Sequence, residues 1–468
     1  MSTVMKDRDK REFMNKELRK LPSVERVLER SELQSETDKF SRVLVTQAAQ
    51  EVIMAIREQL LQGDACPSAD EIVEKIKQYL AQEGLVFLQP VLNGTGVILH
   101  TNLGRAPLSQ EALASVVTSS QNYCNLEYDL SLGERGIRAQ GVEKLLCILT
   151  GAESALVVNN NAGAVFLIIT ALAKGREVII SRGELVQIGG GFRIPEILEQ
   201  SGAYLREVGT TNQTYLEDYE AAINENTGLL LKVHQSNFRM SGFTHLAGIS
   251  ELKGLGKRYN LPVVEDLGSG TLLPTEQFGL EHEPMVQEAI AEGIDVVCFS
   301  GDKLLGGAQG GVILGKRQYL DKIRKHPLLR VLRIDKMTTI ALQLTLLHYL
   351  KKEATEKVPV WQMINYPIQE IASRAEEISK RLTDLGVVSS TYDGFSTVGG
   401  GSLPDQTLPT KLIAIQPPYA VEDFAKRLRL SSPPLLGRIE DNRFVIDPRT
   451  IMPSLDGTVI KIIQNTLI

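Results

Sequence analysis

Residues 295–307 read DVVCFSGDKLLGG, and the fold turns on this stretch. A short apolar run at 295–299 is followed at once by Ser300, Gly301, Asp302 and Lys303, then by two leucines and two glycines. A short apolar run bounded by turn residues marks a strand buried on both faces. A lysine just beyond such a strand, among small residues, is stripped of water. Desolvation lowers its pKa and makes the amine a nucleophile able to form a Schiff base. The alternative is a surface lysine in a loop, the commoner fate of lysine, and the stretch alone does not choose between them.

Working outward, the same pattern recurs at 155–158, 177–180, 229–233, 262–265 and 311–314, with helical patterns between several of the runs. This rhythm predicts a mostly parallel sheet covered on both faces. Ligands of such sheets bind beyond the carboxyl ends of the strands. The run 262–265 is followed by Asp266, and a helix-like stretch at 283–292 links it to the lysine strand. An aspartate there can keep a pyridinium nitrogen protonated, or it is a turn residue. Beyond 229–233 come His234, Gln235, Ser236 and Asn237. Asn237 suits a hydrogen bond to a cofactor's phenolic oxygen. His234 suits contact with its ring or the reacting carbon, or is a satisfied structural histidine. Beyond 155–158 come Asn159, Asn160, Asn161, Ala162 and Gly163, then an apolar helix. Free N–H groups at such a helix start hold phosphate; the alternative is ordinary asparagine capping. Together, in chain order, a phosphate cup, an asparagine, an aspartate and a lysine describe an α/β enzyme of pyridoxal-phosphate fold type I, aspartate aminotransferase-like. The cofactor-binding set is Asn160, Asn161, Ala162, His234, Asn237, Asp266, Ser300 and Lys303.

The rest of the chain frames this core. At 468 residues it has material for more than one domain. A helical segment is expected over 1–65, with helical periodicity from Ser41 to Leu61 and a C-cap at Gly63. A linker and helix follow over 66–92, with Ser68 and Glu71 spaced as a capping box and Gly84 behind the helix. The catalytic core then occupies 93–345 and a small α/β domain 346–468. A formal net charge of −6 argues against a general DNA-binding role. Cys66, Cys124, Cys147 and Cys298 are far apart and have no metal-ligand spacing, so reduced thiols in a cytoplasmic protein are expected. The first residues are charged from Lys6 onward and lack an apolar h-region, so no signal peptide is expected, and no uncharged apolar run is long enough to span a membrane.

Several long strings carry a family resemblance: NGTGVILHTNLGRAPLS at 93–109, NLEYDLSLGERGIR at 125–138, VVNNNA at 157–162, SRGELVQIGGGFRIP at 181–195, VGTTN at 208–212, EDLGSG at 265–270, FSGDKLLGG at 299–307, GGGSLP at 399–404 and GRIED at 437–441. They resemble bacterial selenocysteine synthase, the L-seryl-tRNA(Sec) selenium transferase family, from about residue 20 to the C-terminus. The strings depart from the family pattern at 306–311, GGAQGG for GGPQAG, and at 327–330, PLLR for PLKR.

The resemblance implies a reaction and its partners. Seryl-tRNA(Sec) displaces Lys303 from pyridoxal 5'-phosphate, loses its Cα proton and then water to give aminoacrylyl-tRNA, and takes selenium from selenophosphate at the β-carbon. It implies catalytic roles for Lys303, Asp302 and Arg105, and a selenophosphate site at Arg105, Arg330 and Arg333. It implies that the helical N-terminal region grips tRNA through basic residues such as Arg11, Lys16, Arg19, Lys20, Arg26 and Arg42. It also implies a homo-oligomer, a decameric ring of dimers with shared active sites. The rival reading is a pyridoxal-phosphate ammonia-lyase, or related β-eliminating enzyme, acting on a small amino substrate. Such relatives tend to lack the long N-terminal region present here. A catalytically silent tRNA-binding protein would be expected to have lost Lys303 or Asp266.

Overall fold

The computed structural model describes residues 13–82, 88–188 and 191–467. Gly84 and Arg11 lie outside the described residues. The chain forms two compact units, Met1–Pro90 and Val91–Ile468.

The first unit is helical. Helix Arg42–Gln62 buries Val45, Ala49, Val52, Ile56 and Leu60, one stripe at helical spacing. Gly63 ends it in the left-handed conformation, φ +107°, and its N–H donates to the Leu60 carbonyl at 3.1 Å. Helix Ala69–Gln82 opens on the expected reciprocal cap: the Ser68 N–H donates to Glu71 at 2.7 Å, and the Glu71 N–H to the Ser68 hydroxyl at 3.3 Å. Its Ile72, Ile76 and Leu80 share one apolar core with the first helix. The stretch expected to be linker and helix therefore supplies part of this unit's interior.

The second unit is built on a seven-stranded sheet. Its strands are β1 (Ser154–Val158), β2 (Glu177–Ser181), β3 (Tyr204–Val208), β4 (Thr227–Val233), β5 (Val263–Gly268), β6 (Val296–Ser300) and β7 (Gly311–Gly315), in the order β1-β7-β6-β5-β4-β2-β3. Strands β6, β5, β4, β2 and β3 pair in parallel, while β7 runs antiparallel to both β6 and β1. Alternation along the strands sorts the interior into two layers. Val157, Val263, Val297 and Phe299 face one core with Leu252, Leu342 and Leu346. Leu156, Val264, Val296 and Cys298 face the other with Leu167, Ile168 and Leu320. Helices thus cover both faces. Strand β3, YLREV, escapes an apolar-run reading because it is an edge strand that buries only Val208. The expected helix over 283–292 is shorter, Val286–Ala291, so Glu283 stands in the segment before it.

A second sheet of five strands orders as Arg438–Glu440, Arg443–Ile446, Thr407–Gln416, Val388–Gly399 and Val97–Leu99. The last pairs in parallel with Val388–Gly399, the others antiparallel. Two of these strands matter for the site: Val97–Leu99 leads to Arg105, and Val388–Gly399 leads to Gly401. No helix among the described residues is long and apolar enough to cross a membrane.

Candidate functional site

The carboxyl ends of β1, β4, β5 and β6 converge on a cavity of about 200 Å³. Arg105, Asn160, Asn161, Ala162, His234, Asp266, Ser300, Asp302 and Lys303 all line it. The strands are parallel, so their ends stack at one edge, and residues far apart in sequence meet there.

Lys303 follows β6 in a loop whose ends are tied together. The Gly301 N–H donates to the Gly310 carbonyl at 2.8 Å, and the Gly307 N–H donates to the Gly301 carbonyl at 2.8 Å. The loop holds the side chain inside, at 5% exposure. Burial pushes its ammonium below the usual lysine range, with Asp266 opposing and Arg105 reinforcing the shift. Its amine has neither ion pair nor hydrogen bond among the described residues. Gly401 stands over it: φ is +87°, a conformation that side chains rarely adopt, and a Cβ there would lie 2.7 Å from Lys303 Nζ and displace the lysine's end.

Asp266, at the end of β5, is 8% exposed. It accepts from Asn161 Nδ2 at 2.8 Å and from the Gly268 N–H at 3.1 Å. Burial raises its pKa; the Asn161 bond and the nearby Lys303 pull it down. Across the cavity, helix Asn161–Ala173 begins. Asn160 caps it, accepting from the Gly163 N–H at 2.8 Å, so the capping alternative holds for this residue. The N–H groups of Asn161 and Ala162 have no intrahelical acceptor and are free for an anion. Asp302 accepts from Arg105 Nη1 at 2.9 Å, so the residue beside the lysine anchors the arginine arriving from the second sheet. Arg105 is itself held in the left-handed region at φ +60°.

Three predicted residues do not open on this cavity. The Asn237 amide donates to the Gln187 carbonyl at 2.8 Å, and Ser236 lines the cavity instead. Alternation along the chain would have paired Ser236 rather than Asn237 with His234. Arg330 and Arg333 line a neighbouring cavity of about 340 Å³ with Arg138, Arg324, Glu127 and Glu143. There the Leu332 carbonyl accepts from the Asn159 N–H at 2.8 Å, which ties this segment to the end of β1. The Arg333 guanidinium turns away, 3.6 Å from Glu127. Residues passed over in the sequence include Gln309, which lines the Lys303 cavity, and Gly401. Gly401 lies in GGGSLP, a string that resembles the family, and Gln309 in GGAQGG, where the chain departs from the family pattern but keeps the glutamine.

The residues present fit pyridoxal phosphate. An amine without a partner, a buried carboxylate and a free helix start meet in one cavity, and Asn161 Oδ1 is buried there with no hydrogen-bond partner. Among the described residues no group of histidines, cysteines and carboxylates could hold a metal ion.

The chain matches the family described as L-seryl-tRNA selenium transferase over residues 91–452, and the selenocysteine synthase N-terminal family over 18–57. It is 48% identical over 444 residues to the L-seryl-tRNA(Sec) selenium transferase of Carboxydothermus hydrogenoformans, covering 94% of this chain and 95% of that protein. The protein of that name in Geobacter sulfurreducens is 46% identical over 455 residues, covering 95% and 98%. Among solved structures, a D-glucosaminate-6-phosphate ammonia-lyase superposes with a TM-score of 0.57 at 16% identity, covering 81% of this chain and 96% of that one. That likeness shows the fold, which is fold type I of the pyridoxal-phosphate enzymes. Identity at this level, sustained through both units, shows more than a shared fold: the chain belongs to the L-seryl-tRNA selenium transferase family.

Proposed function

We propose that this protein converts seryl-tRNA(Sec) to selenocysteyl-tRNA(Sec) in the cytoplasm, with pyridoxal phosphate held on Lys303 and selenophosphate as the selenium donor. The observation that carries the reading is the buried, partnerless Lys303 amine beside Asp266, in a chain of this family. The cofactor, when bound, supplies an electron sink for negative charge at the substrate's Cα.

The protein's own groups do the rest. The helix start at Asn160, Asn161 and Ala162 would hold the cofactor's phosphate, and Asp266 its ring nitrogen. Ser300 and His234 form the walls. Lys303, once released by the substrate amine, is placed to carry the Cα proton. The proton and the β-hydroxyl leave as water; selenium then adds to the β-carbon, water cuts its bond to phosphorus so that inorganic phosphate departs, and Cα regains a proton. Arg105, fixed by Asp302, presents a planar cation to the phosphate-like donor. Arg330 and Arg333 join that role through a second copy of the chain, because within one chain they open on the neighbouring cavity. That arrangement agrees with a homo-oligomer whose active sites are shared. The exposed Lys16, Arg19, Lys20, Arg26 and Arg42 of the helical unit would meet the tRNA backbone.

The direct test is to incubate cofactor-loaded protein with seryl-tRNA(Sec) and selenophosphate, then identify the amino acid on the tRNA. Selenocysteine is expected. Unchanged serine, with the cofactor band intact and the tRNA verified, would overturn the reading in favour of a small-molecule lyase.

A further inference from the structure

His234 is the partition between two spaces. It lines the Lys303 cavity, and it also lines an adjoining cavity of about 290 Å³ shaped by Glu184, Lys232 and Glu283. Its backbone is pinned, because its N–H donates to the Asp266 carbonyl at 2.8 Å. Its side chain has one acidic neighbour at close range: Nε2 is 3.4 Å from Glu283 Oε1. Glu283 lines the adjoining cavity and not that of Lys303. The imidazole is thus approached by a carboxylate from behind.

Glu283 itself is unusual. It is 2% exposed, and its Oε1 has no hydrogen-bond partner. A buried carboxylate oxygen without a donor costs about 1–3 kcal/mol, so such atoms call for an explanation. The residue is also firmly set, since its N–H donates to the buried Thr275 hydroxyl at 3.0 Å and that hydroxyl donates to the Glu281 carbonyl at 2.6 Å. A rigid backbone, an unsatisfied oxygen and an imidazole just beyond bonding distance describe a contact that closes when the imidazole is drawn into place.

We propose that Glu283 is a positioning residue: its carboxylate takes the Nε2–H of His234 and so holds the imidazole against whatever occupies the Lys303 cavity. This rests on the cofactor reading above and names the group that orients one wall of that site. With Nε2 committed to Glu283, His234 acts through its ring and not as a base at Nε2. The arrangement follows the general rule that a histidine's orientation is set by the hydrogen bond its outward nitrogen makes.

The test is a double-mutant cycle on the full chain, read by cofactor binding and not by turnover. Apo protein is titrated with pyridoxal phosphate, following the visible band and its induced circular dichroism. Glu283→Ala is expected to weaken cofactor affinity about tenfold and to lower the induced dichroism, as for coupled residues in contact. In a His234→Gln background the same change is expected to add less than about twofold. Where Glu283→Ala does not fold, the cycle with Glu283→Gln, which keeps the shape and removes the charge, serves in its place. Equal losses with and without His234, or unchanged affinity and dichroism in the single variant, would overturn the proposal. A wild-type chain that gives no visible band would instead overturn the cofactor reading on which it rests.

Discussion

The Lys303 cavity and the neighbouring cavity at Arg330 and Arg333 differ in how finished they are. The Lys303 cavity is walled by groups that hold one another within one chain: Asn161 on Asp266, Arg105 on Asp302, the lysine loop closed on itself. The neighbouring cavity holds two arginines paired with carboxylates, Arg138 on Glu127 and Arg324 on Glu143, and two that stay near solvent, Arg330 and Arg333. Arg333 is 41% exposed and 3.6 Å from Glu127, and Arg330 makes no ion pair among the described residues. Rigid, desolvated groups make a site for a covalently held ring. Exposed, weakly paired cations make a site that waits for an anion or for another surface. On the proposed function, the difference means that one chain would hold the cofactor and that a second copy would complete the anion site.

The comparison breaks most sharply at Lys303. Lys303→Ala is expected to abolish the cofactor's visible band and to cut turnover by at least about a thousandfold, since covalent attachment and proton transfer are lost together. Absorbance after cofactor loading checks the first, and single-turnover assays the second. A surviving band would move the cofactor site elsewhere.

Asp266→Asn comes next. It keeps the hydrogen-bonding shape and removes the charge, so turnover should fall by about a hundredfold at matched cofactor occupancy. A change of less than threefold would deny Asp266 the ring nitrogen.

At the second cavity the effect should be smaller and of another kind. Arg333→Ala is expected to raise the KM for selenophosphate about tenfold, the worth of one charge-assisted hydrogen bond, with the cofactor band untouched. Mixing Arg333→Ala chains with Lys303→Ala chains sharpens the point. If the two cavities act across copies, the mixture should contain sites that carry both intact residues, and activity should return.

The smallest effect concerns stability beneath the site. Glu265 is 2% exposed, its Oε2 has no partner, and burial pushes its pKa up to about 8. An unfolded glutamate titrates near 4.3, so between these values the folded chain binds more protons than the unfolded one. Stability therefore falls as pH rises from about 4.5 to about 8 on this account. Glu265→Gln should remove that slope. Its melting temperature should exceed that of the wild type by more at pH 8 than at pH 5, by about a few degrees. Equal differences at both values would mean that Glu265 does not titrate in this window.

Much of this was legible in the chain. Six of the seven main strands announce themselves because strands buried on both faces must be apolar throughout, and that leaves runs such as VVCFS at 296–300. The caps at Gly63 and at Ser68 with Glu71 were legible because they are local bonds between residues three or four apart. The parallel sheet then placed Lys303, Asp266, His234 and Asn161 at strand ends before any coordinates were needed. The edge strand Tyr204–Val208 was not legible, because an edge needs no continuous apolar run.

What the sequence by itself determined, then, was the sheet, its two covered faces and the order in which chemically apt residues reach its carboxyl edge. Burial patterns and capping are short-range, and the sequence carries them directly. Only the tertiary structure decided that Asn161 bonds Asp266 and that Arg105 arrives from the second sheet on Asp302. It alone turned Asn237 aside, put Arg330 and Arg333 on another cavity and set Glu283 behind His234. The physical reason is that these contacts join residues from distant parts of the chain. Their geometry depends on how loops close over the sheet, and no local pattern encodes it.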